Sequence, residues 1–380
     1  MKILHFISGG DTGGAKTHVF TLLTNLKERN IDVELLCIME SSFTEEARKL
    51  GLKVTVIPQV KRYDLTVNQK ICRYINESGC DLLHCHGARA NFIAMFIMKK
   101  IRVPAITTIH SNYKLDFKGN RRKQMLYTPM NAMALKKFRH MLCVTQNLKD
   151  IMVKNGFRAE YIDVIYNGIY FGPDIQTLSE DDFFKAVGVK RDPAKKYVGI
   201  AARLNAIKGF DIFLRSAELT SSRRDDIDYL ILGGGELWDE CQSFIKEKGL
   251  TGRVHMPGMI NDPVIMNSFY KYIDINTLSS YSEGFPYALL EGARMKTATV
   301  STNVGGIPEM ITDGKTGYLV PSGDAEAFAE KIELLCSDDE LRRRMGEAFY
   351  EDADARFSVK SMIDTHIDIY SRIIAEEGRR

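Results

Sequence analysis

The segment EGFPYALLE, residues 283–291, places a glutamate at each end of a Gly-Phe-Pro turn and a short apolar run. Helix N-termini favour negative charge, so one acid beside such a turn is ordinary. Read blandly, Glu283 is a cap and Glu291 a solvated helix residue. Two acids flanking an otherwise uncharged helix start are harder to assign to capping alone. The surrounding chain decides what they serve.

Outward from this segment the sequence alternates. IDINTLSS precedes it and TATVSTN follows, both apolar runs bounded by turn residues. YVGIAARL, DYLILGGG, RVHMPG and GYLVPSG are further strands, and helices begin near Lys208, Glu236, Pro263, Pro286 and Asp324. The first half has the same rhythm, from KILHFI and the amphipathic AKTHVFTLLTNLKERN through VELLCI, KVTVI, DLLHCH and PAITTIH to HMLCVT and DVIYNGI. Strands alternating with helices predict an α/β protein with parallel sheets covered on both faces. The division expected is a Rossmann-like domain over 1–168, a Gly- and Pro-broken linker over 169–196, a second Rossmann-like domain over 197–357 and a terminal helix over 358–380. The apolar side of that helix (Met362, Ile363, Ile367, Ile369, Tyr370, Ile373) has nothing downstream to pack on, so it is expected to cross back to the first domain.

A chain of 380 residues exceeds one ordinary core, which agrees with two domains. No apolar run reaches the ~18 residues of a membrane span, and no secretory signal follows MKILHFIS. The 7 cysteines are odd in number and form no Cys-x-x-Cys, which fits a reducing cytoplasm. Charge is unevenly spread. Residues 1–168 carry 26 Lys and Arg against 14 Asp and Glu, whereas the remainder carries 26 against 35. A sign change at the domain boundary points to different partners for the two halves.

Some patterns imitate sites. GGDTGGAKT (9–17) resembles a phosphate-binding P-loop, but Ala15 separates the glycines from Lys16 and turns the lysine about 100° around the helix. A glycine turn that brings N–H groups to an anion, or simply a tight strand-to-helix turn, both remain open for it. His84 and His86 share a strand face without a third ligand nearby in sequence, so no metal is expected there. Asp226/Asp228 and Asp352/Asp354 read as solvated edges.

Four features converge on phosphate and sugar. Arg203 follows a strand and Lys208 opens a helix: a bidentate donor and a point charge for phosphate. RVHMPGMI ends a strand on Gly258, EGFPYALLE supplies two acids and a helix start, and TNVGGIPE adds a second glycine turn. Together they resemble glycosyltransferase family four, retaining nucleotide-sugar enzymes with a GT-B fold of two facing Rossmann-like domains. The resemblance spans nearly the whole chain. It implies that Glu283 bonds the donor sugar's hydroxyls and Glu291 the ribose diol, and that Arg203 and Lys208 neutralise the diphosphate. By the same resemblance Gly258 and Met259 hold the base, and backbone at Phe285, Pro286 and Leu289 reaches sugar and phosphate. Gly13 and Gly14 approach the donor from the first domain, and His110 lies beside its sugar. Ala202, where the family commonly has glycine, and Asn205-Ala206-Ile207 depart from its pattern without removing the charges.

The implied activity is transfer of a hexose-type sugar, a UDP-sugar being the favoured donor, to a glycan or glycolipid in bacterial cell-surface polysaccharide synthesis. No metal or other cofactor is expected, because Arg203 and Lys208 carry the diphosphate charge. Alternatives are a GT-B nucleotide-sugar epimerase and a non-catalytic nucleotide-sugar binder. Residues 114–140 interleave eight Lys and Arg with Phe, Tyr, Leu and Met. That pattern suits an anionic membrane surface or a solvated helix pair, and no nucleic-acid motif accompanies it. The expected location is the cytoplasm, peripheral on the inner membrane face.

Overall fold

The computed structural model describes residues 1–10, 14–59, 64, 66–114 and 121–378, leaving aside the side chains of 121–124, 126 and 127. Two compact units result: residues 1–168 with 359–380, and residues 169–358.

The first unit carries seven parallel strands: β1 (Lys2–Phe6), β2 (Asp32–Cys37), β3 (Lys53–Val56), β4 (Leu82–His86), β5 (Ala105–Ile109), β6 (His140–Cys143) and β7 (Ile162–Val164), in the order β3-β2-β1-β4-β5-β6-β7. Such strands read as apolar runs because helices cover both sheet faces. The helix Gly14–Glu28 buries Val19, Leu22, Leu23 and Leu26, the 3.6-residue stripe of an amphipathic helix. Each fully buried leucine contributes about 1.5–3 kcal/mol. The terminal helix Val359–Glu377 adds Met362, Ile363, Ile369, Tyr370 and Ile373 to the same core as Leu22, Leu35 and Leu82.

The second unit has six parallel strands: β8 (Lys196–Ala201), β9 (Ile227–Leu232), β10 (Val254–Gly258), β11 (Ile275–Leu278), β12 (Ala298–Thr302) and β13 (Tyr318–Val320), in the order β10-β9-β8-β11-β12-β13. Its two ends meet: Ile169 and Ser358 form a parallel bridge, with the Ile169 amide donating to the Phe357 carbonyl at 3.1 Å. In both sheets the strand order reverses once, between β1 and β4 and between β8 and β11.

Two sequence readings are corrected here. The stretch 169–196 is not a bare linker, for it holds the helix Glu180–Ala186, capped by Ser179 and opened by three acids. Phe183 and Phe184 of that helix are buried with Tyr197, Phe269 and Ile273, so apolar burial ties the stretch to the second unit. Nor is Asp228 a solvated edge. It is buried, with Lys195 at 3.4 Å, Arg253 at 3.3 Å and His255 at 3.4 Å around its carboxylate.

Candidate active site

In open α/β sheets, ligands bind outside the carboxyl ends of the strands, where the strand order reverses. In the second unit that point lies between β8 and β11. The chain leaving β8 carries Arg203, exposed, and then a short 3-10 turn, Ala206–Lys208. Gly209 follows with φ +63°, and a Cβ there would come within 2.0 Å of the Ser279 carbonyl oxygen, so only glycine lets the two loops touch. Through this contact Lys208 Nζ reaches Glu283 Oε1 at 2.6 Å, just after β11. Ser280 Oγ donates to the same oxygen at 2.5 Å. The loop after β12 closes the arrangement from the other side: Gly305, φ +56°, lies so near Glu283 that a Cβ would sit 1.8 Å from its carbonyl oxygen.

The helix Tyr287–Arg294 begins next, with Pro286 at the N-cap, no side-chain cap and no acid in its first turn. Its positive end is open to an anion. Phe285 and Leu289 bury their side chains, Phe285 against Phe357 with ring centroids 5.1 Å apart, so only their backbone groups can face a ligand. Glu291 is on the same helix, partly buried. The Tyr270 hydroxyl and the Arg294 guanidinium are neighbours of its carboxylate. Burial raises the Glu291 pKa, which the Tyr270 hydroxyl and the Arg294 charge oppose.

Beyond β8, the loops after β9 and β10 join in. The Leu204 amide donates to the Gly234 carbonyl at 3.1 Å, and the Gly233 amide to the Gly258 carbonyl at 2.9 Å. Gly258 has φ +100°, and Met259, 71% exposed, stands beside Gly234. The structure thus gathers Lys208, Glu283 and the start of the Tyr287–Arg294 helix into one tight group. Ser280, Tyr270 and Arg294 were missed by sequence reasoning, since only folding brings them to the two glutamates. Gly305 carried a signal in its glycine turn.

In the first unit the corresponding reversal lies between β1 and β4. Gly13 lies outside the described residues, and Gly14 opens the helix Gly14–Glu28. His110, just past β5, is half-buried, and its Nε2 has no hydrogen-bond partner among the described residues. Burial, then His18 and His366, holds its pKa well below the ordinary histidine value. It stands in a group that sequence spacing could not reveal. The β1–β4 register pairs His5 with His84, and the rings of His84 and His86 are 4.1 Å apart. His18 approaches His110 at 4.8 Å and His366 at 5.8 Å between ring centroids. Burial lowers the pKa of His18 to about 4 and that of His366 to about 3, so these rings are neutral at pH 7.

Two family models divide the chain: Glycosyltransferase Family 4 matches residues 12–170, and Glycosyl transferases group 1 matches residues 182–352. The chain belongs to these glycosyltransferases. Alpha-D-kanosaminyltransferase of Streptomyces kanamyceticus is 26% identical to this glycosyltransferase over 301 residues, covering 76% of each chain. The N,N'-diacetylbacillosaminyl-diphospho-undecaprenol alpha-1,3-N-acetylgalactosaminyltransferase of Campylobacter jejuni is 24% identical over 381 residues, covering 95% of this chain and 97% of its own. Anabaena Alr3699/HepE, solved in complex with UDP and glucose, matches the glycosyltransferase with a TM-score of 0.83 at 19% identity, over 98% of this chain and all of that one. This likeness establishes the GT-B fold with its two Rossmann-like domains. No described helix is long and apolar enough to cross a membrane.

Proposed function

We propose that this glycosyltransferase moves a sugar, with retention, from a UDP-sugar to a glycan or lipid-linked acceptor in polysaccharide synthesis. The observation that carries this reading is the Lys208–Glu283 pair beside the uncapped helix start at the β8–β11 reversal. A cation and the positive end of a helix without a side-chain cap suit a diphosphate, and a fixed carboxylate accepts hydroxyl donors from a sugar. The UDP in the Alr3699/HepE complexes supports the choice of base. The diphospho-undecaprenol in the Campylobacter relative's name supports a lipid-linked acceptor.

In this reading Arg203, Lys208 and the amides of the Phe285–Leu289 segment stabilise the charge that develops as the nucleoside diphosphate departs, the largest catalytic term. Glu283 orients the sugar, Glu291 takes the ribose diol, and the backbone at Gly258 and Met259 meets the base. Gly13, Gly14 and His110 serve the sugar side of the donor. Neither glutamate acts as nucleophile, so the leaving phosphate takes the acceptor's proton on the face where the new bond forms. No divalent metal is required at the diphosphate. The helix Val359–Glu377 serves as the crossover that anchors the chain's end to the first domain, a role supported by its apolar side in that core.

A coupled assay tests the activity. Incubation with UDP-sugars and an acceptor panel should release free UDP and lengthen an acceptor. An isomerised nucleotide sugar without UDP release would make the protein an epimerase. Donor binding with neither product would make it a binding module.

We also propose that the basic segment 114–140 docks on anionic lipid. Lys118 and Phe117 lie outside the described residues, but Met125 is 79% exposed, Met133 is exposed, and Lys136 and Lys137 stand free in solvent nearby in the chain. Each cation at an anionic surface is worth about 1 kcal/mol. Vesicle co-sedimentation should require anionic lipid and weaken with salt and with charge reversal at Arg121 and Arg122. Full activity on a soluble acceptor without vesicle binding would end this proposal.

A further inference from the structure

Hydrogen bonds sort the buried histidines of the first unit into two kinds. His84 uses both ring nitrogens: Nδ1 pairs with Tyr370 Oη and Nε2 with Thr108 Oγ1, each at 2.7 Å. It is a fixed structural ring. His18 Nδ1 lies 2.9 Å from Asn167 Oδ1. An amide oxygen only accepts, so Nδ1 carries the proton and Nε2 presents a lone pair. That Nε2 is buried with no hydrogen-bond partner among the described residues. His86 Nε2 pairs with His5 Nδ1 at 3.0 Å, leaving His86 Nδ1 buried and unpartnered. His110 Nε2 is in the same condition. One ring nitrogen from each of His18, His86 and His110 lies within 4.8 Å of the others.

Buried nitrogens without partners are costly, and native proteins seldom keep them without a use. One water can donate to two such acceptors. A borderline divalent cation takes three imidazoles and a fourth ligand in tetrahedral geometry. At Zn–N bonds of about 2.0–2.1 Å the three nitrogens would stand roughly 3.4 Å apart, within reach of small side-chain rotations. Magnesium and calcium want oxygen ligands, which this set does not offer. Ligating histidines are normally anchored through their other nitrogen. Asn167 does this for His18, and His5 does it for His86. A cavity of about 170 Å³, lined by Ala15, His86, Asn91, His110, Ser111 and Tyr113, gives access to two of the rings.

We propose that His18, His86 and His110 bind one divalent transition-metal ion of the zinc type, with the fourth position facing this cavity. His84 is no part of the set, and the ion plays no part in holding the diphosphate. Its expected effect is inhibitory. An ion on His110 withdraws that ring from the donor sugar, a consequence that rests on the role proposed for His110 above.

The test uses the full, untagged chain, stripped with a chelator and dialysed. Calorimetric titration with zinc chloride should show one ion per chain, and cobalt chloride should develop the visible bands of a four-coordinate nitrogen site. Asn167→Ala should weaken zinc roughly ten- to a hundredfold by releasing His18. His110→Ala, at a half-exposed position, should abolish one-to-one binding, whereas His255→Ala in the second unit should leave it unchanged. Thermal unfolding confirms that each variant is folded, and zinc should raise the midpoint of the wild type and of His255→Ala, less that of Asn167→Ala, and not that of His110→Ala. Absence of stoichiometric binding in the wild type, or binding of undiminished affinity in folded His110→Ala and Asn167→Ala, overturns the site. If zinc binds as described yet transfer proceeds at full rate, the site stands and the role of His110 falls. If zinc does not bind, the transferase reading is untouched.

Discussion

Replacing Glu283 with alanine should separate donor binding from sugar transfer. The Glu283 carboxylate holds Lys208 Nζ at 2.6 Å and Ser280 Oγ at 2.5 Å. Its side chain is 9% exposed and that of Lys208 25%. In the proposed site Lys208 serves the diphosphate and Glu283 the sugar hydroxyls, so the pair competes with one ligand and cooperates on the other. Alanine removes the sugar's charged acceptor, and hydrogen bonds to a charged group are worth about 1.5–3 kcal/mol. Transfer should therefore fall roughly ten- to a hundredfold in kcat/KM. UDP alone should bind as well as before or better, because Lys208 loses its competing carboxylate. The freed ammonium is partly exposed and can hydrate, so stability should drop by only about 1 kcal/mol. Glu283→Gln keeps the shape and one acceptor oxygen and should fall between. Isothermal titration with UDP and a UDP-release assay measure the two effects. A folded Glu283→Ala variant that loses UDP affinity about tenfold while retaining transfer would refute the assignment.

Other outcomes follow from neighbouring features. Glu291→Ala should weaken UDP by about 1.5–3 kcal/mol through the ribose; unchanged affinity by titration would remove Glu291 from the site. Gly305→Ala forces a Cβ against the Glu283 carbonyl at φ +56°. The left-handed conformation alone costs about 1–2 kcal/mol and the overlap adds to it, so urea unfolding should show a larger loss, with transfer impaired. Transfer should survive EDTA in the absence of added zinc; rescue of an EDTA-treated enzyme by magnesium or manganese would contradict this. Stability should fall on acidification. His366 is held at about 3 while the unfolded chain titrates near the ordinary value, so the unfolded state gains the proton first as pH drops. Its share is about 1.4 kcal/mol per pH unit below about pH 6.5, and His366→Asn should flatten urea-unfolding stabilities compared between about pH 7 and pH 5.5 by that amount.

The fold was legible because its signals are local. VELLCI and PAITTIH are buried strands β2 and β5, and the stripe Val19, Leu22, Leu23, Leu26 is a helix face, all visible within a few residues. The Lys208–Glu283 pair was legible at one remove, since each residue sits in a recognisable loop and only the sheet order makes them neighbours. What escaped depends on long-range register. His84 and His86 read as a pair with no third histidine nearby because His18 and His110 reach His86 from other elements. Asp228 looked solvated because Lys195, Arg253 and His255 come from separate segments. Phe183 and Phe184 were hidden by polar neighbours in what reads as a connecting stretch, yet two buried aromatic rings outweigh that composition.

The bridge between Ile169 and Ser358 has a consequence for how this enzyme can be taken apart. The second unit enters and leaves the chain at one spot, as a guest inserted into a host made of residues 1–168 and 359–380. Adjacent ends make a guest portable: excision leaves two host termini that lie side by side, and the loop that must be closed is short. Residues 169–358 should then fold as a free-standing module, which circular dichroism and urea unfolding of the isolated piece would check, and exchange among chimeras without cutting a strand. If the second unit holds the donor as proposed above, a graft between such enzymes should change donor preference while acceptor preference stays with the host.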